Sequence, residues 1–264
     1  MPWIVSSKSG LYNLSKHFHA QLFGLGFKPI VAAAFGNDCT VASFFNLAIR
    51  RVDDDHYNDP SNVPLARQLG LIWQLQGEIA EPAQRGLLLS KATALSRKLL
   101  ANAPDSPPDM LNFISDGIGL MDWLVEQGQL PQAKTLCDEV TTVARTRRTS
   151  LPPASGETEL LITLLHCADV DEAAQQPAEA QRKRAAAVQL SNQGVVDKTE
   201  TNTRYWRMSS MLYWLSAMPL TEARAHADAL ASAVQAVAND PATEPSSAEV
   251  KDANALLARL KKSN

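Results

Sequence analysis

The residue types best suited to bind a metal ion lie together near residue 55. Asp53, Asp54 and Asp55 are followed directly by His56, so carboxylate and imidazole groups occur within four residues. Consecutive side chains on a helix point about 100° apart, so a metal site here would need a loop and further ligands from elsewhere in the chain. A solvated helix terminus explains the run more simply. We therefore predict no metal ion and no cofactor.

A second segment, His166, Cys167 and Asp169, has the atom types of a catalytic site. It contains a nucleophile, a base and an acid that could orient the base. A nucleophile must contact its base in space, however, and neighbouring residues on a helix diverge. The pattern favours Cys167 as a small core residue, and we assign no catalytic residue. A hydrolase that uses His56 or His166 is the alternative from the enzyme class.

Two clusters of three basic residues each are predicted on successive helices; they comprise Arg145, Arg147 and Arg148, and Arg182, Lys183 and Arg184. If the helices stack in register, the clusters could form a stripe that binds acidic peptides, phosphate or RNA. Solvated helix surface is the simpler interpretation, because positive charge is favourable near a helix C-terminus. The net charge of −3 gives no general attraction for nucleic acid, which makes nucleic acid a poor candidate partner.

Composition is typical of a soluble globular protein: 45% of the 264 residues are hydrophobic, enough for a substantial core. Cys39, Cys137 and Cys167 form no CxxC pair and no zinc-type spacing, so we expect reduced, buried thiols. The first ten residues lack the basic leader and apolar core of a secretory signal. The apolar runs between Leu22 and Ile49 are shorter than the roughly 20 residues of a membrane-spanning helix. We predict a cytoplasmic chain without a membrane partner.

Apolar residues downstream of about residue 60 recur at steps of three and four, which predicts helices rather than strands. Four prolines divide this region. Pro82, Pro131, Pro177 and Pro219 each stand where an amphipathic segment resumes, at separations of 49, 46 and 42 residues. Proline suits the first turn of a helix because its missing N–H would have no partner there. The spacing predicts four helix pairs, each with its second helix starting at one of these prolines. The first helices are expected to start near Pro64, Pro108, Ser155 and Asn202.

The two ends of the chain differ from this pattern. After Ser246, the residues Val250, Ala253, Leu257 and Leu260 form one apolar stripe, which predicts a C-terminal capping helix with a water-facing outer side. Residues 1–60 do not follow the repeat. We predict an N-terminal non-repeat element over residues 1–60 and a helical-repeat domain over residues 61–264.

The first pair carries Leu69, Gly70, Trp73 and Gly77, followed by Ala83. The second pair has a similar spacing, in the residues Leu120, Met121, Leu124, Gly128 and Ala133. These spacings resemble the tetratricopeptide repeat, over roughly residues 64–240. The proline separations of 42 to 49 residues exceed the family's roughly 34, and the later pairs retain only proline with Ala180 and Ala223.

The resemblance implies an all-α, right-handed array of about four helix-turn-helix pairs, closed by the capping helix, with a groove for a protein or peptide. Such a scaffold needs no reactive group. The expected partner-binding residues are Asn112, Asp116, Arg182, Lys183, Arg184, Arg204, Tyr205 and Arg207. Long, alanine-rich repeats also resemble the regions that follow catalytic domains in bacterial signalling proteins. The alternative is therefore a sensor or scaffold portion of a larger bacterial signalling protein, such as a serine/threonine kinase.

Overall fold

The structure, a computed structural model, describes residues 61–151, 153–192, 201–239 and 248–262. Every regular element in these ranges is helical and none is a strand, which confirms the all-α class. The helices are α1 (Val63–Ile79), α2 (Pro82–Asn102), α3 (Pro107–Glu126), α4 (Leu130–Thr146), α5 (Pro153–Ala173), α6 (Pro177–Asn192), α7 (Thr201–Ser216), α8 (Leu220–Ala223), α9 (Ala227–Ala238) and α10 (Ala248–Lys262). Short 3₁₀ turns occupy Arg148–Ser150 and Arg224–His226. The predicted N-terminal element, with Asp53 to His56, lies outside the described residues.

Prolines lie at or beside the starts of four helices, at the positions predicted for helix starts. Pro82 begins α2, Pro177 begins α6, Pro131 lies in the first turn of α4, and Pro219 is the residue before α8. The fixed φ of proline fits the first turn, and its missing N–H costs no hydrogen bond there. The first helices α1, α3, α5 and α7 begin within two residues of their predicted starts.

The turns that end α3 and α5 have the same geometry. Gly128 has a φ of 69°, and the N–H of the next residue donates to the carbonyl of Leu124 at 2.8 Å. Forty-seven residues later, Gln175 has a φ of 58°, and the next N–H donates to the carbonyl of Asp171 at 2.8 Å. Both are Schellman turns, which satisfy the last carbonyls of a helix. The equal spacing defines equivalent positions in the pair α3/α4 and the pair α5/α6.

The described residues belong to two compact units, divided between Ala92 and Thr93. In the first unit, α1 approaches α2 closely at Gly77, where an added Cβ would lie 2.8 Å from the side chain of Leu89. Glycine at this position therefore permits the helix contact. Lys91 Nζ lies 5.2 Å from the ring centroid of Trp73, within the range of a cation–π interaction.

In the second unit, each first helix packs on the next one. Helix α3 contacts α5, α5 contacts α7, and α7 contacts α10, while α4 and α6 fill the spaces between them. Small residues lie near the starts of the second helices: Ala133, Ala180 and Ala223 are fully buried. A methyl group there lets a second helix approach its partner closely, which positions the side chains of the first helices.

Helix α10 has one apolar face, as predicted. Val250, Ala253 and Leu257 are buried, whereas Lys251 and Asp252 are exposed. The buried residues join a core cluster with α7 and α9. Among the described helices, none combines the length and apolar character that crossing a membrane requires.

Candidate functional site

A group of charged side chains crosses α3, α5 and α6 in the second unit. His166 Nδ1 on α5 lies 3.0 Å from Asp122 Oδ1 on α3. Arg184 on α6 donates from Nη2 to Asp169 Oδ1 at 3.0 Å, and also to Glu172. We call these five residues, Asp122, His166, Asp169, Glu172 and Arg184, the ionic face.

Exposure divides the ionic face into two layers. The side chains of Asp122 and Asp169 are 41% and 53% exposed, and that of Glu172 is also exposed. Arg184 has only 6% of its side chain exposed, and His166 is half-buried. The two cationic groups therefore lie beneath three carboxylates. The surface that meets water is acidic.

The carboxylates determine the protonation of His166. Burial alone lowers the pKa of His166, but the charge and hydrogen bond of Asp122, followed by the charge of Asp169, raise that pKa to about 9. His166 is thus an imidazolium at neutral pH. It donates hydrogen bonds and has no free lone pair with which to act as a general base.

Tyr213 of α7 borders the ionic face. Burial is the main cause that raises the pKa of its phenol to about 12, and the charges of Asp169 and Glu249 act in the same direction. The phenol therefore remains protonated across the physiological range. It adds a neutral hydrogen-bonding group beside the acidic surface.

Cys167 follows His166 in the chain but belongs to a different contact. Its Sγ forms a disulfide with Cys137 of α4, and both cysteines are fully buried. The prediction of reduced thiols is wrong for these two residues. They are 30 positions apart in the sequence, and the packing of α4 on α5 brings their Cα atoms to 5.5 Å. Cys167 therefore has no free thiol to serve as a nucleophile for His166.

A second charged group surrounds a buried carboxylate on the other side of α5. Asp171 has 1% of its side chain exposed, and its carboxylate lies 2.6 Å from Lys183 Nζ and 3.6 Å from Lys134 Nζ. We call these three residues the buried triad, after the buried carboxylate of Asp171; the side chain of Lys134 is 40% exposed. Sequence reasoning missed the triad because its members come from α4, α5 and α6, and no local spacing links them. The sequence did contain one indication of the triad, because Asp171 interrupts the apolar face of α5.

The predicted basic cluster on α6 spreads around that helix. The side chain of Arg182 is 74% exposed and pairs with Glu179, Lys183 belongs to the buried triad, and Arg184 belongs to the ionic face. Successive residues on a helix diverge, so these three do not form a continuous exposed stripe. In the other cluster, Arg147 donates to the carbonyl of Pro104 at 2.7 Å, Arg145 is exposed, and the side chain of Arg148 lies outside the described residues.

The remaining predicted partner-binding residues occupy α3 and α7. Asn112 is partly exposed, whereas Asp116 is buried. Arg204, Tyr205 and Arg207 are partly exposed, and Tyr205 packs against the apolar core of α7, α9 and α10. The structure brings only Arg184 of the eight predicted residues into the ionic face. Partner binding by the eight stays a prediction.

Within the described ranges, no group of three or more histidine, cysteine, aspartate and glutamate side chains could hold a metal ion. The candidate ligands Asp53 to His56 lie outside those ranges. No protein-family model matches the chain, and no curated protein matches it. The resemblance to the tetratricopeptide repeat also stays a prediction.

Proposed function

We propose that the protein is a non-catalytic scaffold that binds a protein or peptide across α3, α5 and α7 of the second unit. The observation that carries the proposal is the recurrence of one helix-pair unit. The same Schellman turn and the same buried alanine return 47 residues later, and within the second unit α3 packs on α5 and α5 packs on α7. Stacked pairs of this kind align equivalent positions in a row, and in this proposal the row lines the groove of a right-handed array.

The ionic face supplies a reason for the groove to prefer basic segments. Asp122 and Asp169 occupy equivalent positions of α3 and α5, and both are accessible to water. Lysine or arginine side chains of a partner would form charge-assisted hydrogen bonds with such carboxylates. His166 and Arg184 hold the carboxylates in place before a partner arrives, which lowers the entropic cost of binding.

The chemistry of the same residues favours binding over catalysis. His166 is protonated at neutral pH, and the neighbouring sulfur of Cys167 is committed to a disulfide. A hydrolase would need a free nucleophile in contact with an unprotonated base. The hydrolase alternative therefore gains no support from His166, and His56 lies outside the described residues.

Selection of random peptides on the purified chain tests this proposal. We expect the selected peptides to be rich in lysine or arginine. The variant Asp122→Asn/Asp169→Asn should weaken a selected peptide about tenfold or more in calorimetric titration, because two charge-assisted contacts are lost. The matched control is Asp138→Asn on α4, which changes an exposed aspartate away from the ionic face.

Three results would overturn the proposal: no peptide is selected, the peptides are cleaved during binding, or Asp138→Asn weakens binding as much as the double variant. Circular dichroism spectra of all variants verify that the helices remain folded. Affinity should also fall as salt concentration rises, because charge contacts at a partly exposed surface are screened.

A further inference from the structure

The disulfide lies directly beside the buried triad. Cys137 Sγ is 3.6 Å from Lys183 Nζ, whereas Cys167 Sγ is 3.4 Å from the hydroxyl of Thr141 and 4.0 Å from the sulfur of Met121. The two sulfurs therefore have different surroundings. One contacts an ammonium group, and the other contacts a neutral hydroxyl and a thioether.

We propose that Cys137 and Cys167 form a reversible redox site, in which Cys137 is released as a thiolate that Lys183 stabilises. An ammonium group next to a cysteine favours the thiolate over the thiol. The sulfur that leaves more easily in thiol–disulfide exchange is the one whose thiolate is more stable. Attack is therefore directed at Cys167.

The exchange needs a dithiol reductant. One thiolate of the reductant attacks Cys167 Sγ, the bond between the two cysteine sulfurs breaks, and Cys137 leaves with the bonding electrons. The second thiolate of the reductant then attacks the reductant's first sulfur in the mixed disulfide. Cys167 leaves as a thiolate. Two electrons pass to the cysteine pair, the reductant becomes a disulfide, and its two thiol protons go to the cysteine sulfurs or to solvent.

The charges around Cys137 come from every helix of this contact. Lys183 of α6 lies 3.6 Å from the sulfur, Asp171 of α5 contacts Lys183, and Lys134 of α4 contacts Asp171. The charged group in contact with the sulfur is therefore positive, which favours a negative sulfur. Asp171 also positions the ammonium group of Lys183, which lies 2.6 Å from its carboxylate.

Burial makes the redox step depend on the helix contact. Both cysteines are inaccessible to water, so a reductant reaches Cys167 only when α4 and α5 separate locally. Cys167 is adjacent to His166 of the ionic face. The redox state thereby determines how firmly α5, which carries that face, is joined to α4.

A proton titration of Cys137 in the full chain carrying Cys167→Ser tests the role of Lys183. The ¹³Cβ chemical shift of labelled cysteine reports the thiolate without requiring access to the sulfur. We expect Lys183→Gln to reduce the thiolate-to-thiol ratio of Cys137 about tenfold at pH 7, and Lys183→Arg to preserve most of that ratio. The matched control, Lys98→Gln, replaces an exposed lysine on α2 and should leave the ratio unchanged.

A second variant keeps the test decisive if Lys183→Gln fails to fold. Asp171→Asn/Lys183→Gln removes both charges and leaves no unpaired buried carboxylate. It should lower the thiolate fraction by less than Lys183→Gln does, because loss of the carboxylate offsets part of the loss of the ammonium group that contacts the sulfur. An unchanged fraction in the folded variants would overturn the role of Lys183. Independently, mixtures of reduced and oxidised dithiothreitol should open and close the pair reversibly, as counted by alkylation at Cys137 and Cys167. Free thiols at both positions under oxidising conditions would overturn the redox site.

Discussion

The pair α3/α4 and the pair α5/α6 share one turn but fill the space behind it differently. In the first pair, Leu124 and Leu136 are buried. Forty-seven residues later the equivalent positions hold Asp171 and Lys183, whose charged atoms lie 2.6 Å apart. Removing two charges from water costs free energy that their attraction only partly offsets. The difference teaches that the helix-pair geometry accepts either an apolar or an ionic contact at this position.

The largest expected effect comes from breaking the ionic contact on one side only. Asp171→Leu leaves the ammonium group of Lys183 buried without its carboxylate, and should lower the free energy of unfolding by about 3 kcal/mol. Asp171→Leu/Lys183→Leu restores the contact type of the first pair, and should lie within about 1 kcal/mol of the wild type or above it. Urea denaturation measures both values. If the double variant is as unstable as the single one, the two pairs are not interchangeable.

The next largest effect concerns His166, which lies between the equivalent carboxylates of the two pairs. Its folded-state pKa of about 9 exceeds the unfolded value of 6.5, so its stabilisation is complete below pH 6.5 and is lost as pH rises through 9. After allowance for the exposure of Asp122, the loss should be about 2 kcal/mol. Denaturant unfolding of the wild type and of His166→Gln, from about pH 7.5 to 9.5, measures it.

Comparison with His166→Gln separates the pH-dependent stabilisation by His166 from the titration of Glu78 and Glu159. Burial raises the pKa values of Glu78 and Glu159 to about 7, so those carboxyl groups titrate mainly below the chosen range. His166→Gln should therefore have a nearly flat stability profile between pH 7.5 and 9.5. A slope in the variant equal to that of the wild type would contradict the assignment to His166.

The smallest expected effect comes from exchanging residue types at the two Schellman turns, which contain Gly128 and Gln175. Gly128→Ala should destabilise by about 1 kcal/mol, because an L side chain is strained at a φ of 69°. No atom lies within 4 Å of the added Cβ, so backbone strain is the whole cause. Gln175→Gly should stabilise the protein by about 0.5 to 1 kcal/mol, because glycine relieves the backbone strain of an L side chain at a φ of 58°. Thermal unfolding measures both changes, and shifts of the same sign would show that the turns are not equivalent.

The helix positions could be predicted from the sequence because local sterics determine them. Pro82 and Pro177 begin their helices, and the apolar stripe of Val250, Ala253 and Leu257 is the buried face of α10. Proline geometry and a 3.6-residue period act within a few residues of the chain. A single sequence is therefore sufficient to locate them.

The charged groups and the disulfide could not be predicted in the same way. Asp122 meets His166 across 44 positions, and Cys137 meets Cys167 across 30. Such contacts depend on the rotation of each helix about its axis, which residue spacing within one helix does not define. The positive φ of Gln175 was also hidden, because glutamine gives no sign of a left-handed turn.

Hydrogen bonds between different segments of the second unit recur at similar separations along the chain. Arg97 with Glu139, Arg147 with Pro104, and His166 with Asp122 are separated by 42, 43 and 44 residues. Each bond joins two neighbouring segments of the second unit. Contacts between neighbouring segments allow folding to start at one segment and spread to the next. Amide hydrogens in α4 and α5 should consequently exchange with solvent more slowly than those near the ends of the second unit, because stepwise opening reaches the middle last.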